Sequence, residues 1–79
     1  MTMSSQVVAY VLLVTEVGKE YEIIQELKKI KGVTEAKAVY GEFDIITRIE
    51  GMDLKSLDES VTKLRRISSV IRTVTLISS

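Results

Sequence analysis

Within these 79 residues, the stretch best suited to holding a ligand is Tyr40-Gly41-Glu42-Phe43-Asp44. A glycine accepts a positive φ and lets another molecule approach the backbone closely, and a carboxylate beside it can pair with an ammonium group. The same residues also make an ordinary hairpin turn, with Gly41 at the strained position and the Asp44 side chain satisfying turn amides. The residues alone leave both readings open. Thr73 and Thr75 add two hydroxyls able to donate to a carboxylate, although β-branched threonine is in any case a good strand residue.

Other chemistries lack their parts. The chain has no cysteine and no histidine, which removes thiolate and imidazole metal ligands, Ser-His and Cys-His catalysis, and a histidine pH switch. Glu16, Glu20, Glu22 and Glu26 line the entry and polar side of one segment and read as a solvated face. No Asp-rich calcium-type loop accompanies them, so no metal or cofactor is expected. Nothing pairs two carboxylates in a pocket that would separate their pKa values, so no catalytic residue is expected either. Gly18 stands alone, without the glycine pattern of a dinucleotide site.

Eleven basic and eleven acidic residues give a formal net charge of zero, which argues against direct nucleic-acid or anionic-lipid contact. Lys28, Lys29, Lys31, Arg65 and Arg66 fall where helix C-termini favour cations, with no platform of adjacent aromatic rings. The longest apolar run, Val7 to Val14, is far below the roughly 20 residues of a membrane span, and the N-terminus has no signal-peptide pattern. A cytoplasmic protein with residues 1–6 fraying and residues 7–79 forming one domain is expected.

The elements that must position the turn follow from periodicity. Val7 to Val14 is apolar at odd and even positions alike, the mark of a central strand covered on both faces. Tyr21, Ile24, Leu27 and Ile30, with Ile23 beside them, recur at helical spacing up to Gly32, the expected C-cap. Val33 to Tyr40 alternates, with Thr34, Ala36, Ala38 and Tyr40 on one face and Val33, Glu35, Lys37 and Val39 on the other. It pairs through Gly41-Glu42-Phe43 with Asp44 to Glu50, where Ile45, Thr47 and Ile49 share a face. Asp53 then caps a helix with the stripe Leu54, Leu57, Val61, Leu64 and Ile67, and Val70 to Ile77 is the last strand, with Val70, Val74 and Leu76 on one side and Ile71 and Ile77 on the other. Leu27-Lys28-Lys29-Ile30-Lys31-Gly32-Val33 matches Leu64-Arg65-Arg66-Ile67-Ser68-Ser69-Val70 at an offset of 37 residues, so two β-α-β halves are the simplest account. The expected fold is α+β: a ferredoxin-like βαββαβ sandwich, one four-stranded antiparallel sheet with two helices on one face.

Such a sheet leaves its other face open and greasy. At this length folding buries only about 60% of the unfolded chain's surface, so a monomer is marginal. Covering roughly 800 Å² per partner, about half of it apolar, at about 25 cal/mol per Å² contributes on the order of 10 kcal/mol per partner before association costs. A homodimer joined sheet to sheet, in the manner of a dimeric α/β barrel, is expected.

Ile30-Lys31-Gly32-Val33, Val39 through Ile45 and Val70 through Thr75, in this order on a βαββαβ plan, resemble the C-terminal effector domain of the Lrp/AsnC family of transcriptional regulators, the RAM domain. The similarity covers about Val7 to Ile77, and its most specific element is the Gly-x-x-Asp turn at Gly41 to Asp44. The resemblance implies a dimer, with four dimers closing into an octamer, and a small-molecule ligand, an amino acid, bound where dimers meet. It places Gly41 against the ligand backbone, Asp44 on its ammonium, Tyr40 and Phe43 along the cleft beside Glu42, and the hydroxyls of Thr73 and Thr75 within reach. Six residues before the first strand leave no room for the family's helix-turn-helix domain. A stand-alone effector module, acting through a partner such as a full-length relative, is therefore the expectation. Rival readings are a purely structural assembly partner and a small dimeric enzyme of the same fold; such enzymes lean on His, Asn or Trp, none of which occurs in this sequence.

Overall fold

The β-branched and aromatic run at the start of the chain forms β1 (Val7–Thr15), and every second side chain of it is driven out of water. Ala9, Val11 and Leu13 are wholly buried and Thr15 nearly so. In the computed structural model, which describes residues 6–78, the elements that follow are α1 (Glu20–Leu27), β2 (Val33–Ala38), β3 (Ile45–Gly51), α2 (Leu54–Arg65) and β4 (Val70–Ser78). The four strands form one antiparallel sheet in the order β2-β3-β1-β4. This is the ferredoxin-like βαββαβ plan expected from the sequence. The expected fraying of residues 1–6 lies outside the described residues except at Gln6, which is exposed.

Both helices cover the odd-numbered face of β1. Ile23 and Leu27 of α1 and Leu57, Val61 and Leu64 of α2 meet Val11, Leu13, Ile45 and Ile49 in one apolar cluster. The α1 stripe runs through Ile23 and Leu27, one helical turn apart, while Tyr21, expected to belong to it, lies mostly in water. Residues 21 and 23 are about 200° apart around a helix, so burying Ile23 turns Tyr21 outward. Leu54, in the first turn of α2, is likewise mostly exposed.

The expected cap at Gly32 is corrected: α1 ends five residues earlier, at Leu27. Backbone bonds from Lys29 to Glu26, Ile30 to Leu27 and Val33 to Ile30 then tighten the chain into i→i−3 turns that tuck Ile30 under the sheet. After α2 the bonds Arg66 to Lys63, Ile67 to Leu64 and Val70 to Ile67 repeat the arrangement at the same offset of 37 residues. The sequence repeat is thus a repeated turn. Gly32 serves the turn, not a cap: its φ is +95°, its carbonyl accepts the Glu50 N–H at 2.8 Å, and an added Cβ would lie 2.7 Å from the Glu50 carbonyl oxygen.

Strict alternation fails at two bulges. Between Val33 and Glu35 the register against β3 shifts, so Val33 pairs with Ile49 and Ala36 with Thr47, and both small residues reach the helix side. Between Val14 and Thr15 the register against β4 shifts by one residue, leaving Ile71 as the extra residue between Val70, opposite Thr15, and Arg72, opposite Val14. Val70 therefore packs against the core, whereas Arg72, Val74 and Leu76 share the face away from the helices.

That second face carries Val8, Tyr10, Leu12 and Val14 of β1, Ile46 of β3, and Val74 and Leu76 of β4, opposite one another by register. Toward the β2 edge it turns polar. Arg48 Nη1 donates to Glu50 and, at 3.0 Å, to Thr34 Oγ1, and Lys37 pairs with Glu35. The Glu50 carboxylate, and then the Tyr10 hydroxyl, hold the Arg48 guanidinium above its ordinary pKa.

Asp53 caps α2 as expected, its Oδ1 accepting the Ser56 N–H at 2.8 Å. That bond lowers its pKa from the ordinary 3.8. A depressed folded-state value contributes stability in full above the unfolded value and loses it as pH falls through the folded one. Asp53→Ala is therefore expected to melt below wild type at neutral pH in calorimetry, with the difference closing as the pH falls below about 3.8.

Candidate functional site

The β2-β3 connection is held at both ends by main-chain bonds. Val39 N–H donates to the Asp44 carbonyl at 2.9 Å, and Asp44 N–H donates to the Leu13 carbonyl of β1 at 2.8 Å. The loop between them, Tyr40 to Phe43, thus stands at the end of the sheet where β1 finishes and β4 begins. Gly41 has a φ of +127°, and an added Cβ would meet nothing within 4 Å. The backbone requires glycine, and the space beside it is free for another molecule.

Asp44 does more than turn the chain. Its Oδ2 accepts the N–H of Thr15 at 2.9 Å, an amide 29 residues away at the bulged end of β1. The expected bond to turn amides is replaced by a bond to the end of the central strand. Oδ1 has no protein hydrogen bond among the described residues, so half of the carboxylate is available to a ligand cation. Tyr40 is fully exposed and Glu42 is exposed, while Phe43 is half-buried.

Sequence reasoning missed one residue here. Arg72 sits with its guanidinium carbon 5.4 Å from the centre of the Phe43 ring, a cation–π distance. Alternation puts Arg72 in step with Val74 and Leu76, so an arginine on an otherwise apolar strand face was the available signal. The bulge at Ile71 fixes which face that is.

The two threonines are placed differently. Thr73 lies opposite Leu13 and Thr75 opposite Val11, and both partners point toward the helices, so the hydroxyl-bearing residues share the helix-facing side of β4. Thr73 is one strand across from Asp44, with Leu13 between. Thr75 lines a groove of about 360 Å³ with Leu57, Val61 and Ile77 under α2, and its hydroxyl is buried without a hydrogen-bond partner. A second concavity of about 230 Å³ lies between Lys31, Glu50, Ser56 and Lys63. Neither includes the Tyr40–Asp44 turn, whose Tyr40, Gly41 and Glu42 stand exposed as an open shelf. Among the described residues no group of three or more acidic side chains is arranged to hold a metal ion, and no helix is long and apolar enough to cross a membrane.

Comparison with known proteins matches residues 8–79 to the Lrp/AsnC ligand binding domain. A sequence relative described as an uncharacterised HTH-type transcriptional regulator of Pyrococcus furiosus is 36% identical over 58 residues, 72% of this chain; the chain spans 39% of that relative's length. The crystal structure of a hypothetical protein from Pyrococcus horikoshii superposes with a TM-score of 0.87 at 40% identity, over 92% of this chain and 89% of that one. Escherichia coli AsnC, at 22% identity, shares the fold with a TM-score of 0.81 over 95% of this chain and 52% of its own.

The two roles of Asp44 separate by substitution. Asp44→Asn keeps an acceptor for the Thr15 N–H but loses its charge, and is expected to cost about 1 kcal/mol or less. Asp44→Ala orphans that amide and should cost about 1–3 kcal/mol in denaturant unfolding.

Proposed function

The chain belongs to the Lrp/AsnC ligand-binding domain family, and from that premise we propose that it is a small-molecule sensing and oligomerising module whose ligand is an amino acid. The family's ligand-binding domain is related to transcriptional regulators; what this reading adds is the ligand, its place and the mode of assembly. The observation that carries it is the shelf at Tyr40 to Asp44: a glycine with open space at its α-carbon beside a carboxylate with one oxygen uncommitted. Gly41 admits the ligand's main chain, Asp44 Oδ1 takes its ammonium, and Tyr40, Glu42 and Phe43 wall the cleft. Thr73 stands nearest among the β4 hydroxyls, with Thr75 farther along the same side.

An open shelf excludes water only when something closes over it, so the site is completed between protomers. The apolar face of Leu12, Val14, Ile46, Val74 and Leu76 supplies the first contact, a homodimer with sheet against sheet, since a patch of this kind on one small domain marks an interface. Four such dimers closing into an octamer bring the turns together. Ligand bound at that seam favours whichever assembly completes it, by its differential affinity for the two states. The domain acts in the cytoplasm, without catalysis and without touching DNA itself, through a partner such as a full-length relative of the family. An assembly role that needs no ligand is the alternative, favoured by the same apolar face.

Thermal unfolding against the twenty amino acids tests the ligand. A binder at about 100 times its Kd stabilises by roughly 2.7 kcal/mol, several degrees for a domain of this size. One or a few related amino acids are expected to raise the wild-type melting temperature and to leave Asp44→Asn unmoved; the absence of any shift would transfer the reading to assembly alone. For the interface, Leu12→Glu places a charge at the centre of the open face. Sedimentation velocity should then show monomer or unfolded chain where the wild type is dimeric, and an unchanged dimer would rule this face out.

A further inference from the structure

We infer that Arg72 is the residue that recognises the ligand's carboxylate and so confines the site to α-amino acids over amines; this rests on the reading of the Tyr40–Asp44 shelf given above. Asp44 and Arg72 flank the same strand end. Asp44 is bonded to Leu13 and Thr15 from the β3 side, and Arg72 lies opposite Val14 on the β4 side. One negative and one positive group therefore stand two strand spacings apart, roughly 10 Å between backbones, with the bulged end of β1 between them. The Asp44 carboxylate reaches the Thr15 N–H of β1 and the Arg72 guanidinium reaches the ring of Phe43, the residue next to Asp44, so both charges are brought to one end of the sheet, which suits a ligand carrying an ammonium and a carboxylate on one carbon.

Arg72 is prepared for such a role in three ways. Its guanidinium rests on the Phe43 ring at 5.4 Å, which holds the plane and leaves the N–H edges free to form a two-pronged bond. No carboxylate lies within ion-pairing distance of it among the described residues, whereas Arg48, the other arginine on this face, is committed to Glu50 and Thr34. It also interrupts an apolar strand face, where Val74 and Leu76 continue the same side, so burial of hydrophobic surface does not account for it. Phe43 thereby acquires a positioning role: it holds the cation as well as walling the cleft.

The competing use of Arg72 is a contact with a carboxylate of the second copy across the sheet interface. Calorimetric titration of wild type, Arg72→Gln, Arg72→Lys and Phe43→Leu separates the two. The probes are each L-amino acid that raises the wild-type melting temperature and the primary amine obtained by removing its carboxylate. Wild type is expected to prefer the amino acid to the amine by about tenfold or more. Arg72→Gln should lose affinity for the amino acid by about that factor and no longer discriminate. Arg72→Lys should keep part of the preference, having charge without the fork, and Phe43→Leu should lose a smaller part. Arg72 is exposed in the single chain but lies on the face proposed for the dimer, and Phe43 is half-buried, so an unchanged circular-dichroism spectrum and sedimentation coefficient check that the variants fold and assemble. An Arg72→Gln protein that binds the amino acid as tightly as wild type overturns the inference and leaves the proposed function standing. So does one whose only change is a weaker dimer in sedimentation. A wild type that binds no amino acid overturns both.

Discussion

Ala9, Val11 and Leu13 lose all contact with water when the two helices close over β1, and this burial organises everything else. Because side chains alternate along a strand, committing the odd positions to the helices commits Val8, Tyr10, Leu12 and Val14 to the opposite face. A sequence apolar at both sets of positions can satisfy only one of them inside a single βαββαβ unit with both helices on the same side. The chain is then left with an apolar sheet face that neither helix covers.

The same strand also builds the shelf. At its C-terminal end β1 gives the Leu13 carbonyl to Asp44 N–H and the Thr15 N–H to the Asp44 carboxylate, so the hairpin loop is tied to the most deeply buried element of the molecule. A loop anchored to the core presents its exposed atoms in one arrangement, which lowers the ordering cost of binding. On the opposite side the bulge at Ile71 brings Arg72 into register with Val14 and onto the open face. The candidate site and the core meet at a single strand terminus, where a local irregularity re-aims one cation.

The repeated turn after each helix shows how two halves of similar sequence come to differ. Both halves close with the same i→i−3 bonds. In the first, Gly32 at positive φ lets the main chain lie against Glu50 of the same sheet; in the second, Ser69 keeps an ordinary φ and its carbonyl accepts the Glu16 N–H at 3.0 Å. Both carbonyls are bonded to a neighbouring main chain, and the glycine is needed only where φ is +95° and a Cβ would lie 2.7 Å from the Glu50 carbonyl oxygen.

Patterning alone determined the element order, the central place of β1, the buried set Ile45, Thr47 and Ile49, the Asp53 cap and the unpartnered second face, because each follows from a period of 2 or 3.6 or from the chemistry of a single cap. The Gly41–Asp44 turn was legible for the same reason: a positive φ and a short polar side chain leave a mark in composition. What only the tertiary structure decided were the points where periodicity breaks. The early end of α1 at Leu27, the outward turn of Tyr21, the bulges at Val33 and Ile71, the bond from Thr15 to Asp44 and the stacking of Arg72 on Phe43 all depend on contacts between residues far apart in the chain. A bulge is one extra residue that no local pattern announces, and it decides which face every later side chain takes. The sites most affected by it, Arg72, Thr73 and Thr75, were therefore the ones the sequence could name by type or not at all, but could not place.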